Sequence, residues 1–271
     1  MTQYYNLFVV YDPIRDKQPA LERAADIAAD TGASLHVFAC IYTETGAAGD
    51  KSNEINELLA QQQATLDLAV APIRSRGIAV STELEWDKSW YKAVVRASIK
   101  MGADMVLKSS FKHSSSKRVL NKTSDFTLMR ECLCPVLLVK DCTVREIPKV
   151  LAAVDICAKK ESYERLNKNV IDFSKLFVGK NGTEVHYINA FQNFKVMPDR
   201  QELIKNWGIE SDRIHIKLGD PDKVIVRQAN KLGVGLVVVG NSARSGLPAA
   251  LMGNTVEKVL DKLDCDVLSM P

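Results

Sequence analysis

The stretch Gly235–Thr255, GLVVVGNSARSGLPAALMGNT, decides the fold. Its apolar run Leu236–Val239 stops at Gly240, and a loop of small and polar residues follows. Gly253-Asn254-Thr255 then precedes a helical pattern through Val256, Val259, Leu260 and Leu263. A short apolar run of this kind reads as a strand covered on both faces. Strand, glycine-bearing loop and helix start together suit a phosphate. The helix start offers unpaired backbone N–H groups and a positive dipole end. Glycine lets backbone approach an anion, and Asn254 or Thr255 can cap the helix while facing a phosphate oxygen. An ordinary strand–loop–helix connection with a good cap needs the same residues, so both readings stand here.

Working outward, the same unit recurs along the chain. Residues Ala93–Val139 map onto Val224–Met270 at a constant offset of 131, pairing Arg96 with Arg227, Gly102 with Gly233, Val106 with Val237, Cys134 with Cys265 and Leu137 with Leu268. His36 and His186 correspond at an offset of 150, because the first half carries the longer helix between its second and third strands. The first half is expected to hold strands at Asn6–Val10, Ser34–Tyr42, Ile78–Trp86, Met105–Lys108 and Pro135–Val139. Helices over Gln18–Gly32, Asn53–Gly77, Trp90–Met101 and near Ser124–Arg130 separate them, with Ser109–Thr123 as a loop. The second half repeats this with strands at Val150–Val154, Glu184–Ala190, Arg213–Leu218, Leu236–Val239 and Asp266–Ser269. Helices at Tyr163–Val178, Pro198–Trp207, Pro221–Leu232 and Val256–Leu263 connect them.

Strands alternating with helices give an α/β fold. The expectation is two tandem doubly wound domains, each a five-stranded parallel sheet of order 3-2-1-4-5 flanked by helices. The domains span residues 1–141 and 149–271, with 142–148 as a polar linker. Ligands of such sheets bind beyond the carboxyl ends of the strands, where strand order reverses. That places Asp12 and Asp155, just past each first strand, beside the loops after each fourth strand.

Composition agrees with a globular chain: 271 residues, 46% hydrophobic and 25% charged. A formal net charge of +3 is too small to argue for nucleic acid. The start MTQYYN lacks a basic segment and a long apolar core, and no run approaches the ~20 apolar residues of a membrane span. A cytoplasmic location is expected. Cys40, Cys132, Cys134, Cys142, Cys157 and Cys265 form no CxxC pair and read as reduced thiols rather than metal ligands. His36 and His186 sit inside strand patterns and read as structural.

The stretches DPIRDKQPALERA, GADMVLK, CPVLLVKD and GLVVVGNSARSGLPAALMGNTVEKVLDKLDCDVL resemble the universal stress protein family in its tandem form. The resemblance covers nearly the whole chain. Nucleotide-binding members carry an aspartate after strand one and a loop written G-x-x-G, a spacer, then G-S or G-T. The resemblance implies that this aspartate contacts adenosine and the loop cradles phosphates. The second half keeps Asp155, Gly240 and Gly253, with Asn241 and Arg244 inside the loop. It departs at Ala243, where glycine is expected, and at Asn254, where Ser or Thr is expected, with Thr255 one place later. If position 243 needs a left-handed backbone, alanine costs roughly 1–2 kcal/mol, about tenfold in affinity. The implied ligand is ATP or a related adenine nucleotide, with Mg as its companion ion.

The first half keeps Asp12 but places Ser109, Lys112, Lys122 and Thr123 where the loop residues should be, so it is not expected to bind ATP in the family manner. Its Lys108, Lys112, His113, Lys117, Arg118 and Lys122 read as a basic loop: a solvated cationic segment, or a site for an anion. Aromatic residues suited to single-stranded nucleic acid are sparse there. No nucleophile elbow, metalloprotease helix, Walker loop or kinase set appears, and no catalytic residue is nominated. The favoured expectation is a non-catalytic stress-response protein whose second half binds a nucleotide. An adaptor for a protein or anionic lipid, and a slow ATP hydrolase, are the alternatives. The family resemblance also implies pairing through fifth strands, here Pro135–Val139 with Asp266–Ser269 as a pseudo-dimer within the chain. A homodimer of chains stays open.

Overall fold

The computed structural model describes residues 5–43, 51–111, 118–141, 147–157, 160–178, 182–241, 258–260 and 262–271. The chain divides into two compact units, residues 2–141 and, together with Met1, 142–271. The first contains β1 Asn6–Tyr11, α1 Pro19–Thr31, β2 Ser34–Ile41, α2 Lys51–Ser75, β3 Val80–Trp86, α3 Trp90–Lys100, β4 Met105–Ser110, α4 Arg118–Glu131 and β5 Val136–Lys140. Its strands lie in the order β3-β2-β1-β4-β5, all parallel.

The second contains β6 Lys149–Ala153, α5 Glu161–Lys175, β7 Glu184–Phe191, α6 Arg200–Trp207, β8 Ile214–Leu218, α7 Pro221–Leu232, β9 Leu236–Gly240 and β10 Asp266–Met270. Residues 258–260 and 262 are helical. Its strands lie in the order β8-β7-β6-β9-β10, again all parallel, so each unit has the 3-2-1-4-5 order.

The strands are apolar on both faces because helices cover both. Leu7, Phe8 and Val9 of β1 are buried, as are Val106 and Leu107 of β4; Val150, Leu151 and Ala152 of β6 match them, with Val237 and Val238 of β9. Burying one such large side chain stabilises by about 1.5–3 kcal/mol. Proline in the first turns of α1 and α7 starts each helix where a missing N–H costs nothing. Left-handed glycines end them: Gly32 at φ 75° and Gly233 at φ 63°. The two halves differ in length mainly at one connection, where α2 runs 25 residues and α6 only 8.

Two expectations are corrected. β4 extends to Ser110, because Lys108, Ser109 and Ser110 continue the ladder against Leu138, Val139 and Lys140 of β5. The helix expected near Ser124 begins at Arg118, so Arg118 and Lys122 belong to a helix rather than a loop. Lys112, His113 and Lys117 lie outside the described residues.

Candidate functional site

The strand order reverses between β1 and β4 in the first unit and between β6 and β9 in the second. In the second, Ala153 aligns with Val239, which puts Asp155 just beyond the ladder beside Gly240 and Asn241. The turn carrying Asp155 is held from three sides. The Asp155 backbone N–H donates to Asn167 Oδ1 at 2.9 Å, and Asn167 Nδ2 donates back to the Asp155 carbonyl at 2.6 Å. The Ile156 N–H donates to Oδ1 of buried Asn189 at 2.8 Å. Asp155 Oδ1 itself accepts from the Cys157 N–H at 3.2 Å. A peptide group held by two side-chain amides cannot swing away from the strand end without leaving buried polar groups unpaired.

Gly240 closes β9, and Asn241 is buried with its N–H donating to the Met270 carbonyl at 2.7 Å. A Cβ at position 240 would sit 2.5 Å from Leu166 Cγ. Packing of α5 against β9 therefore demands glycine here whether or not an anion is bound. Ala243, Arg244, Gly253, Asn254 and Thr255 lie outside the described residues.

The first unit keeps the same turn with other side chains. Gln18 accepts from the Asp12 N–H at 3.2 Å and donates to the Asp12 carbonyl at 2.6 Å and the Arg15 carbonyl at 2.7 Å. Asp12 Oδ1 accepts from the Ile14 N–H at 3.0 Å. Beyond that the chain's own groups engage the strand ends. Arg15 lies 3.6 Å from the Asp12 carboxylate and 4.2 Å from the centre of the Phe111 ring. Ser109, aligned with Gly240, accepts from the Ala20 N–H at 3.1 Å and so satisfies an orphan donor at the start of α1. Lys108 is not a loop cation. Its ammonium pairs with Asp125 at 3.0 Å, both side chains less than a fifth exposed, and lies 5.1 Å from the Trp90 ring.

Sequence reasoning did not single out Gln18, Asn167, Asn189 or Leu166. The only signal was a polar residue, Asn167 or Asn189, set among apolar neighbours of a helix or strand.

At the opposite, amino ends of the strands the aligned histidines have different partners. His36 Nδ1 is 2.8 Å from Ser81 Oγ, and Nε2 is 3.1 Å from Glu83. His186 Nε2 is 3.3 Å from Glu184 and 3.3 Å from Arg213, and its Nδ1 is 3.2 Å from His215 Nε2. Burial lowers the pKa of all three histidines; His215 falls to about 4, with His186, Lys217, Arg200 and Lys231 adding to the effect. Cys40, Cys132, Cys134, Cys157 and Cys265 are in no disulfide, Cys142 lies outside the described residues, and burial pushes the Cys40 thiol up to about 11. Among the described residues no His/Cys/Asp/Glu cluster could hold a metal, and no helix is long and apolar enough to cross a membrane.

Comparison with known proteins adds a lineage to this geometry. The family model described as the universal stress protein family matches residues 3–140 and again 159–271. Universal stress protein E of Escherichia coli strain K12 is 30% identical over an alignment covering 99% of this chain and 94% of that protein. A functionally unknown protein from Pseudomonas aeruginosa PAO1 has a solved structure with a TM-score of 0.76 at 29% identity, covering 98% of this chain and 92% of its own. A universal stress protein from Archaeoglobus fulgidus DSM 4304 superposes with a TM-score of 0.75 at 18% identity, covering 98% and 95%, a likeness of fold.

Proposed function

The chain belongs to the universal stress protein family in its tandem form, and from that premise we propose that its second half binds an adenine nucleotide, ATP or a close relative. The observation that carries this reading is the doubly clamped turn of Asp155 next to the end of β9, at the reversal of strand order. Asp155 takes the adenosine end. Gly240, Asn241, Ala243, Arg244, Gly253, Asn254 and Thr255 form the phosphate end, with Mg carried in on the nucleotide. The first half takes no part, since Arg15 and Ser109 already use its Asp12 carboxylate and its α1 N-terminus. No catalytic group is assigned at this end.

A ligand that binds only the folded state stabilises it by about 2.7 kcal/mol at a hundredfold excess over Kd. Thermal melts with millimolar ATP and AMP should show an upward shift that Asp155→Ala removes. No shift in the unaltered protein favours the adaptor reading, which exposed Phe194, Met197 and Leu218 at the carboxyl ends of β7 and β8 support. Phosphate release that disappears in Asp155→Ala would instead point to a slow hydrolase.

The same reading places the protein in the cytoplasm, where its thiols stay reduced. It also pairs the two halves through β5 and β10, each at the edge of its own sheet and each carrying a buried leucine, Leu137 and Leu268. Leu137→Asp should then split unfolding into two transitions.

A further inference from the structure

At the amino ends of β1, β2 and β3 the first unit has a small cavity lined by Asn6, Phe8, Ser34, His36, Ser81 and Met101, among others. It lies at the opposite end of the strands from the Asp12 turn. Two of its lining residues, Ser81 and His36, belong to a chain of hydrogen bonds that runs on to Glu83 behind them: Ser81 Oγ to His36 Nδ1 at 2.8 Å, His36 Nε2 to Glu83 Oε2 at 3.1 Å. Lys100 holds the other oxygen of Glu83 at 3.0 Å.

The proton positions follow from chemistry. An ionised carboxylate only accepts, so Nε2 carries the hydrogen that Glu83 receives. In the neutral ring Nδ1 is then bare and accepts from the Ser81 hydroxyl. The alternative acceptor for that hydroxyl, the Leu35 carbonyl, is farther away at 3.4 Å. His36 is buried, which keeps its ring neutral, while Ser81 is exposed. An accessible hydroxyl, a buried base holding its proton and a carboxylate fixing the base's tautomer are the parts of an activated nucleophile.

The second unit provides a built-in contrast. Ile188 aligns with His215, so two residues earlier Arg213 stands opposite His186, where the first unit has Ser81 opposite His36. The histidine is repeated, but the hydroxyl and its carboxylate partner two residues on occur only in the first half.

We propose that Ser81 is an acyl-accepting nucleophile, with His36 as its base and Glu83 as the positioning residue, serving small carboxylic esters or thioesters whose acyl group enters the cavity. Ser81 Oγ attacks the carbonyl carbon and its proton passes to His36 Nδ1. The bond to the leaving alkoxide or thiolate breaks, and that group takes the proton from His36. Water, deprotonated by the same nitrogen, then releases the acid and restores Ser81. This is separate from nucleotide binding, and neither stands or falls with the other.

The test uses the full chain with an alkyl fluorophosphonate and with p-nitrophenyl acetate, and locates adducts by peptide mass spectrometry. The expected result is a single dominant adduct at Ser81 and a burst of p-nitrophenol. Ser81→Ala abolishes both, and His36→Gln slows labelling about a hundredfold, the low end of what a positioned base contributes. Glu83→Gln slows it less and Glu83→Asp recovers part of the loss, at unchanged melting temperature, which a purely structural carboxylate would not do. Should His36→Gln fail to fold, Ser81→Ala and the Glu83 pair still decide. Labelling spread over several serines, or no faster than in the urea-unfolded chain, overturns the proposal, as does a Ser81 rate indifferent to both His36 and Glu83.

Discussion

The turn after the first strand of each half is held by a side-chain amide that bonds both the N–H and the carbonyl of an aspartate, yet the amide comes from different places. Gln18 reaches it from the residue just before α1, and Asn167 from within α5. The bonding pattern is common to both; the residue that makes it is not. Around this shared frame the halves part. The first stacks Arg15 on Phe111 beside its aspartate and places Ser109 at the end of β4, while the second has glycine at the end of β9. Turn shape is thus a shared requirement of folding, whereas the end of the fourth strand differs, serine serving α1 in one half and glycine making room for Leu166 in the other.

The strongest way to break this comparison is at Gly240. Gly240→Val forces side-chain atoms into Leu166, and overpacking of this kind costs about 1–3 kcal/mol or more. Urea titration should show a lower unfolding midpoint than in the unaltered protein. Next come the clamps. Asn167→Ala and Gln18→Ala each strand a part-buried peptide group and should cost about 1–3 kcal/mol. Only Asn167→Ala should also lower ATP affinity in a calorimetric titration; equal affinity in both variants would erase the functional distinction between the halves.

Acid should then separate the halves further. An unfolded chain protonates His215 near its ordinary 6.5, while the folded chain refuses the proton until about pH 4. Stability of the second half should therefore fall as pH drops from 6.5 toward 4, and the penalty is complete below that. His186, beside Glu184 and Arg213, is lowered in the same direction. In the first half Glu83 works against the burial of His36, so its decline is shallower. Melting temperatures measured across this range should flatten in His215→Asn. The smallest effect is expected at Ser109→Ala, which removes one hydrogen bond to Ala20 and costs about 1 kcal/mol in the first half alone.

Much of the architecture was legible in the chain because strands covered on both faces are written as unbroken apolar runs. Val237 and Val106 could be aligned without a gap, and the shift in offset at His186 marked the α2–α6 difference before any coordinates. Strand ends were less visible. Ser109 and Ser110 are polar and read as loop, yet pairing with β5 draws them into the ladder. The ion pair of Lys108 with Asp125 and the clamps of Gln18 and Asn167 depend on how helices and turns pack at the strand ends, and the line from Ser81 through His36 to Glu83 depends on the β2–β3 register; none of these carries a sequence motif. Gly240 was legible as a glycine but not in its reason, since Leu166 is distant in sequence and carries no motif.

Ser109 has one more consequence, for its own unit. α1 begins without a side-chain cap of its own, and the Ser109 hydroxyl serves its Ala20 amide from the end of β4. Glycine at this position would strand that amide, so the far end of the fourth strand and the start of the first helix are tied together by a hydroxyl that belongs to neither turn.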